Sequence, residues 1–166
     1  MPVISFVAAS SNSGKTTLIE KIVKLLKARG LRVAVVKHVS AGFELDKPGK
    51  DSWRFQEAGA DSVVLVGPGK MAVIRKIDID DVPSPEEIER VVGDIDIVIH
   101  EGSKKSAKNK IEVFRSGASG DRPLCLQDRS YLALVSDKYF PVSIPRFDLD
   151  DAEGVANYLV KNFVVE

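Results

Sequence analysis

Ser13-Gly14-Lys15-Thr16 stands between an apolar run, Ile4 to Ala8, and a stretch of helical period, Leu18 to Leu26. Strand, tight loop ending in lysine and threonine, then helix is the order of a phosphate-binding loop of the Gly-x-x-x-x-Gly-Lys-Ser/Thr kind, with Ala9 where the first glycine would stand. Such a loop turns the amides of Ser11, Asn12, Ser13, Gly14 and Thr17 around phosphate oxygens, and the helix adds the positive end of its dipole. Lys15 reaches the terminal phosphates and serves catalysis there, while Thr16 offers its hydroxyl to Mg²⁺. A non-glycine residue held at positive φ costs roughly 1–2 kcal/mol, and Asn12 is the best tolerated substitute in this loop.

A metal–nucleotide site also needs an acid at the end of a neighbouring strand. Asp96-Ile97-Val98-Ile99-His100-Glu101-Gly102 supplies Glu101 for the metal and for catalysis, with Gly102 letting the chain turn close to phosphate. Asp96 reads as a strand-start residue facing water. Lys37 ends the second strand on the sheet edge where open α/β sheets bind ligands, either neutralising phosphate or simply solvated. His38 and His100 read as imidazoles hydrogen-bonded at strand termini, since neither has the spaced partners of a metal site. Asp46, Lys50, Asp51 and Arg54 form a mixed-charge cluster at the end of a long polar connection; an acid there either holds the water shell of Mg²⁺ or belongs to solvated surface. The basic run Lys104 to Lys110 either attracts a phosphorylated ligand or is a solvated loop.

These residues need a scaffold, and the pattern supplies one. Val3–Ala8, Arg32–Lys37, Ile95–Ile99, Lys110–Arg115, Tyr131–Ser136 and Val142–Ile144 read as strands. Ser62–Val66 and Met71–Arg75, split by Gly67-Pro68-Gly69, read as a hairpin. Helices are expected over Thr16–Ala28 with Gly30 as its stop, over Asp51–Gly59 with Asp51 or Ser52 as cap, from Ser84-Pro85-Glu86-Glu87 to near Gly93, and from Asp150-Asp151 to Phe163. Strand, helix, strand in so short a span requires a right-handed parallel crossover. The fold class is therefore α/β, a doubly wound, mostly parallel but mixed sheet of the P-loop NTPase type, in a single nucleotide-binding domain over 1–166.

The chain has 166 residues, 44% of them hydrophobic, enough for a substantial core. Lys+Arg and Asp+Glu are equal at 24 each, so no global field favours nucleic acid or an anionic membrane. A single cysteine, Cys125, excludes an internal disulfide and a Cys-rich metal site. With no signal-peptide pattern this suits a reducing cytoplasm. The apolar run Val3 to Ala9 is too short to span a bilayer.

Together FVAASSNSGKTTLIEKIVKLLKARGLRVAVVKH, FELDKPGKDSWRFQEAGA, DIDIVIHEGSKKSAKNKIEVFR, ALVSD and PRFDLDDAEGVANYL resemble the molybdopterin-guanine dinucleotide biosynthesis protein B family over nearly the whole chain. The resemblance implies a cytoplasmic homodimer that binds Mg²⁺ and GTP, hydrolyses GTP weakly, and assists the guanylyltransferase that attaches GMP to molybdopterin. It brings the D-x-P-G-K-D-S-x-R segment into function, with Asp46 at the metal and Asp51 in catalysis. This chain departs from the family at Ala9 and Asn12, where glycines are usual, near Ser40 and Ala41, where histidines are usual, and at Ser103, where an aromatic is usual. The common guanine signature Asn-Lys-x-Asp is only approximated by Asn109-Lys110-Ile111-Glu112, so Asp137, after the strand ALVS, is the better-placed acceptor for guanine, or else a turn acid. No residue clearly supplies a water-positioning glutamine or an arginine finger, although Arg54 could serve; slow hydrolysis follows. An ATP-dependent small-molecule kinase or ligase on the same fold is the alternative, and a binding module without catalysis a weaker one.

Overall fold

Ile97, Val98 and Ile99 are all 1% exposed or less, as expected of a strand covered on both faces. The computed structural model describes residues 1–39, 42–43, 45–77, 83–102 and 109–164. Ser40, Ala41, Ser103 and Lys104 to Lys108 therefore lie outside the described residues. In chain order the elements are β1 (Val3–Val7), α1 (Lys15–Ala28), β2 (Val33–Lys37), α2 (Asp51–Glu57), β3 (Ser62–Gly67), β4 (Lys70–Arg75), α3 (Pro85–Val92), β5 (Ile97–Glu101), β6 (Lys110–Phe114), a 3-10 turn at Leu124–Leu126, β7 (Tyr131–Ser136), β8 (Arg146–Phe147) and α4 (Ala152–Phe163).

They fall into two compact units, one of Met1–His38 with Val92–Glu166 and the other of Val39–Val91. The first holds a six-stranded sheet in the order β2-β5-β1-β6-β7-β8, parallel at every pairing. From β1 the chain runs outward to β2, returns to β5, and then crosses to β6, β7 and β8 on the other side. The strand order thus reverses around β1, which makes the C-terminal end of β1 the switch point where such sheets bind ligands.

Burial follows period. Leu18, Ile19, Ile22 and Leu26 of α1, and Ala152, Val155, Ala156 and Leu159 of α4, occur at helical spacing and enter one core with Ile4, Phe6, Ile99, Ile111 and Val135. After α1, Gly30 at φ 80 lets its own amide reach Lys27 O at 3.0 Å and the Leu31 amide reach Leu26 O at 3.2 Å. At α4 the Asp151 carboxylate accepts from Gly154 N at 2.8 Å. In α3 the expected cap closes both ways, Glu87 N to Ser84 Oγ at 3.2 Å and Ser84 N to Glu87 Oε2 at 2.8 Å.

Some local expectations are corrected. Val142–Ile144 is not a strand; β8 lies at Arg146–Phe147, where pairing with β7 opens through Leu134 N and the carbonyl of Pro145 at 2.9 Å. The hairpin forms, with Gly67 opposite Lys70, but as its own two-stranded antiparallel sheet, so the six-stranded sheet is not mixed. Neither Asp51 nor Ser52 caps α2, whose first residue is Asp51 and whose cap, Lys50, makes no side-chain bond. Asp96 does more than face water. Its carboxylate accepts from Arg32 N and Nη2, both at 2.6 Å, and ties the start of β2 to the start of β5. The arginine holds that carboxyl at about 2, below its usual 3.8.

Candidate functional site

The loop between β1 and α1 is shaped by two left-handed residues. Asn12 adopts φ 61 and Gly14 φ 86, while Ala9 is not among the positive-φ residues. Missing glycines thus leave only Asn12 in the costly region, where asparagine is among the tolerant residue types. Gly14 is the cap of α1 and offers no side chain. The first intrahelical bond runs from Leu18 N to Gly14 O at 3.0 Å, so the amides of Lys15, Thr16 and Thr17 have no partner within the helix. They border a cavity of about 190 Å³ lined by Asn12, Ser13, Gly14, Lys15, Thr16 and Thr17. Ser13 is 1% exposed, yet its hydroxyl has no partner among the described residues.

Beside this loop two side chains converge on one carboxylate oxygen of a third. Thr16 Oγ1 donates to Glu101 Oε1 at 2.6 Å, and Lys15 Nζ lies 3.8 Å from the same oxygen. Sheet order explains the meeting. β5 is the neighbour of β1, with Phe6 opposite Glu101, so the last residue of β5 stands level with the end of β1. Gly102 turns the chain at φ 98, its amide donating to Phe6 O at 3.1 Å. On the other side of β5, Lys37 lies opposite Glu101 in the β2 register and is exposed. His38 Nε2 and His100 Nδ1 are 3.1 Å apart, one donating and one accepting. Burial lowers the pKa of both imidazoles, His38 adding to the effect on His100. They hold each other at the strand ends, as hydrogen-bonded imidazoles at strand termini.

A hydroxyl and a carboxylate side by side at the head of a helix fit Mg²⁺, a hard ion that takes one or two protein oxygens and fills its remaining positions with phosphate and water. The oxygens of Thr16 and Glu101 are the ones in place for it. No group of three or more His, Cys, Asp or Glu residues able to hold a metal comes together among the described residues. Asp46, the third residue assigned to the metal, belongs to the other compact unit, where its Oδ1 accepts from Lys47 N at 2.9 Å. It lines a cavity of about 300 Å³ there with Phe43, Pro48, Trp53 and Gln56. Asp51 lies in the same unit, its Oδ1 3.8 Å from Arg54 Nη1 on the exposed face of α2.

Asp137 stands at the end of β7 with both carboxylate oxygens engaged, Oδ1 accepting from Ser116 N at 2.8 Å and Oδ2 from Ser116 Oγ at 2.6 Å. Partial burial opposes its charge, but the Ser116 bonds outweigh that and leave the carboxyl below its ordinary value. The Asn109-Lys110-Ile111-Glu112 segment turns inward. Lys110 is 8% exposed and pairs with Asp128 Oδ2 at 2.5 Å, and the fully buried Glu112 accepts from Leu124 N and Cys125 N at 2.8 Å each. Burial beside Glu112 pushes the Cys125 thiol up to about 12.

Sequence spacing did not single out Arg115, whose guanidinium lies against Gly14, Nη2 being 3.0 Å from where a Cβ would stand. Nor did it single out Ser10, whose hydroxyl donates to Ala118 O and ties the loop to the turn after β6. Arg115 follows β6 as Glu101 ends β5, at the same edge of the sheet, and that position was the available signal.

The profile of the family described as molybdopterin guanine dinucleotide synthesis protein B matches residues 3–137. The chain belongs to this family. Its similarity to the Escherichia coli (strain K12) molybdopterin-guanine dinucleotide biosynthesis adapter protein is 34% identity over 169 residues, 97% of this chain and 93% of that protein. The Haemophilus influenzae adapter protein is 35% identical over 84% of this chain and 76% of its own length. Among solved structures, a molybdopterin-guanine biosynthesis protein B is 32% identical, with TM-score 0.75 over 96% of this chain and 98% of that one. Bacillus subtilis MobB is 25% identical, with TM-score 0.77 over the whole of both chains. These family members share the α/β fold with its parallel central sheet, the class expected from the sequence. No helix among the described residues is long and apolar enough to cross a membrane.

Proposed function

We propose that this chain is an adapter in molybdopterin-guanine dinucleotide biosynthesis that binds Mg²⁺ and GTP at the loop before α1 and hydrolyses GTP slowly. It assists a guanylyltransferase that attaches GMP to molybdopterin, working as a homodimer in the cytoplasm. The observation that carries the site is the convergence of Lys15 and Thr16 on one carboxylate oxygen of Glu101, beside amides left without helical partners. Family membership and the adapter role of the Escherichia coli relative support the pathway.

In this reading the amides of loop 11–17 wrap the phosphate chain, the Ser13 hydroxyl gains a partner, and the Lys15 ammonium neutralises the terminal phosphates. Thr16 and Glu101 open their mutual hydrogen bond to hold the metal. Mg²⁺ held by Thr16 and Glu101 would offset the negative charge that develops in phosphoryl transfer. Gly102 and Lys37 flank the same edge, and Asp137, held rigid by Ser116, is the acid assigned to guanine. For the homodimer, support comes from the hairpin, where Val66 is 81% and Met71 66% exposed, an apolar surface beside open strand edges.

Calorimetry with Mg²⁺ and GTP or ATP tests the site. GTP binding tighter than ATP, lost by roughly tenfold to hundredfold in Lys15→Ala, is the expected outcome. Equal affinity for the two overturns the guanine assignment, and silence toward every nucleoside triphosphate overturns the site. Turnover measured with and without the guanylyltransferase then separates an adapter from a kinase or ligase, which would instead form ADP when given its acceptor.

A further inference from the structure

The loop before α1 has an acidic, metal-facing side set by β5 and an opposite side set by β6, because β1 lies between those strands. On the β5 side the cation Lys15 already has Glu101. On the β6 side stands Arg115, whose backbone is fixed by the turn that follows it. Ser119 N donates to Arg115 O at 2.9 Å, Ala118 N to the same oxygen at 3.2 Å, and Arg115 N to Ser119 Oγ at 3.2 Å. That turn is joined to the loop through Ser10 and Ala118 and to β7 through Ser116 and Asp137. The side chain is treated quite differently. It is exposed, its guanidinium makes no ion pair within 4.0 Å among the described residues, and it rests with Nη2, Cζ and Nε all 3.0 to 3.6 Å from a Cβ built on Gly14.

An arginine with an anchored backbone, whose guanidinium has no hydrogen bond or ion pair among the described residues and whose charge is felt by Asp137, lying against the cap of a helix whose first amides have no partner within the helix, is arranged to meet an anion. We propose that Arg115 clamps the phosphate group next to the nucleoside, across the loop from the metal-facing end, so that it grips nucleoside diphosphates and triphosphates alike. The proposal rests on the reading of this loop as a nucleotide site. Its direction comes from the sheet: with Thr16 and Glu101 assigned to the terminal phosphates, the phosphate on the β6 side is the one bonded to the nucleoside, which GDP and GTP both carry. Arginine is suited to this place because its fork can bridge two oxygens of one phosphate.

The test is calorimetry of GDP and GTP binding, each with Mg²⁺, to the wild-type protein, Arg115→Ala, Arg115→Gln, Arg115→Lys and Lys15→Ala, with circular dichroism and thermal melting of each variant. Arg115→Ala and Arg115→Gln are expected to weaken GDP and GTP by a similar factor, roughly tenfold to hundredfold, with unchanged melting, and Arg115→Lys to recover part of the loss. Wild-type affinity for both nucleotides in Arg115→Ala overturns the clamp, as does a loss confined to GTP, which would put the guanidinium at the terminal phosphate. So does a fall in melting temperature that Lys shares with Ala, which would make Arg115 a packing residue. If Lys15→Ala loses binding while Arg115→Ala does not, only the clamp falls. If the wild-type protein binds neither nucleotide, the site reading falls with it.

Discussion

β6 and β3 are both short, mostly apolar strands, yet β6 is buried at all five positions and β3 only at Val63. The difference lies in what borders them. β6 has β1 on one side and β7 on the other, so even its polar residues are interior and must be neutralised there, Lys110 by Asp128 and Glu112 by two amides. Among the described residues β3 pairs with β4 alone, and Val64, Leu65, Val66, Met71 and Val73 of the pair remain exposed. β6 satisfies its apolar residues internally; the hairpin displays most of its own.

The largest expected effect lies in the closed unit. Phe114, 1% exposed and edge-on to Phe140 at a centroid distance of 4.9 Å, should cost about 3–5 kcal/mol when replaced by alanine, measured by denaturant unfolding. A loss below 1 kcal/mol would mean that the parallel sheet is not the seat of stability. Next, Gly14→Ala should cost about 1–2 kcal/mol for its left-handed backbone and displace Arg115, which stands 3.0 Å from the new methyl group. Its counterpart Gly67→Ala in β3, with nothing within 4 Å, should shift stability by less than about 0.5 kcal/mol either way.

A pH measurement sharpens the contrast further. Because Asp96 is held at about 2 instead of 3.8, its share of stability is present above pH 4 and is lost as the pH falls through the folded value. Asp96→Asn should therefore flatten the acid limb of the stability curve between about pH 4 and pH 2; an unaltered limb would show that the Arg32 pair does not join β2 to β5. The smallest effect belongs to the hairpin. Val66→Asp, at an 81% exposed site, should change unfolding free energy by less than about 0.5 kcal/mol while reducing self-association in sedimentation. A substantial loss of stability in a monomeric variant would break the comparison.

What was legible in the sequence tracks the range of the interaction. The Ser84–Glu87 capping box, the helix start after Gly14, the left-handed Asn12 and the full extent of β7 depend on residues a few positions apart. Val142–Ile144 misled because two β-branched residues flanking Ser143 between Pro141 and Pro145 have strand composition, whereas pairing was decided by which carbonyl β7 could reach. Lys110 and Glu112 look like solvent-facing residues by type; only the neighbours of β6 reveal that both are interior.

The order of residue types alone determined that a helix would begin at a lysine and a threonine with its amides free, because backbone strain, capping and helix period act over a single turn. That Glu101, 85 residues away, would place its oxygen against Thr16 and Lys15, and that Arg115 would lie on the opposite flank, was decided only when β5 and β6 took their places on either side of β1. Hydrogen bonding between parallel strands sets that order, and residues far apart along the chain become neighbours only through it.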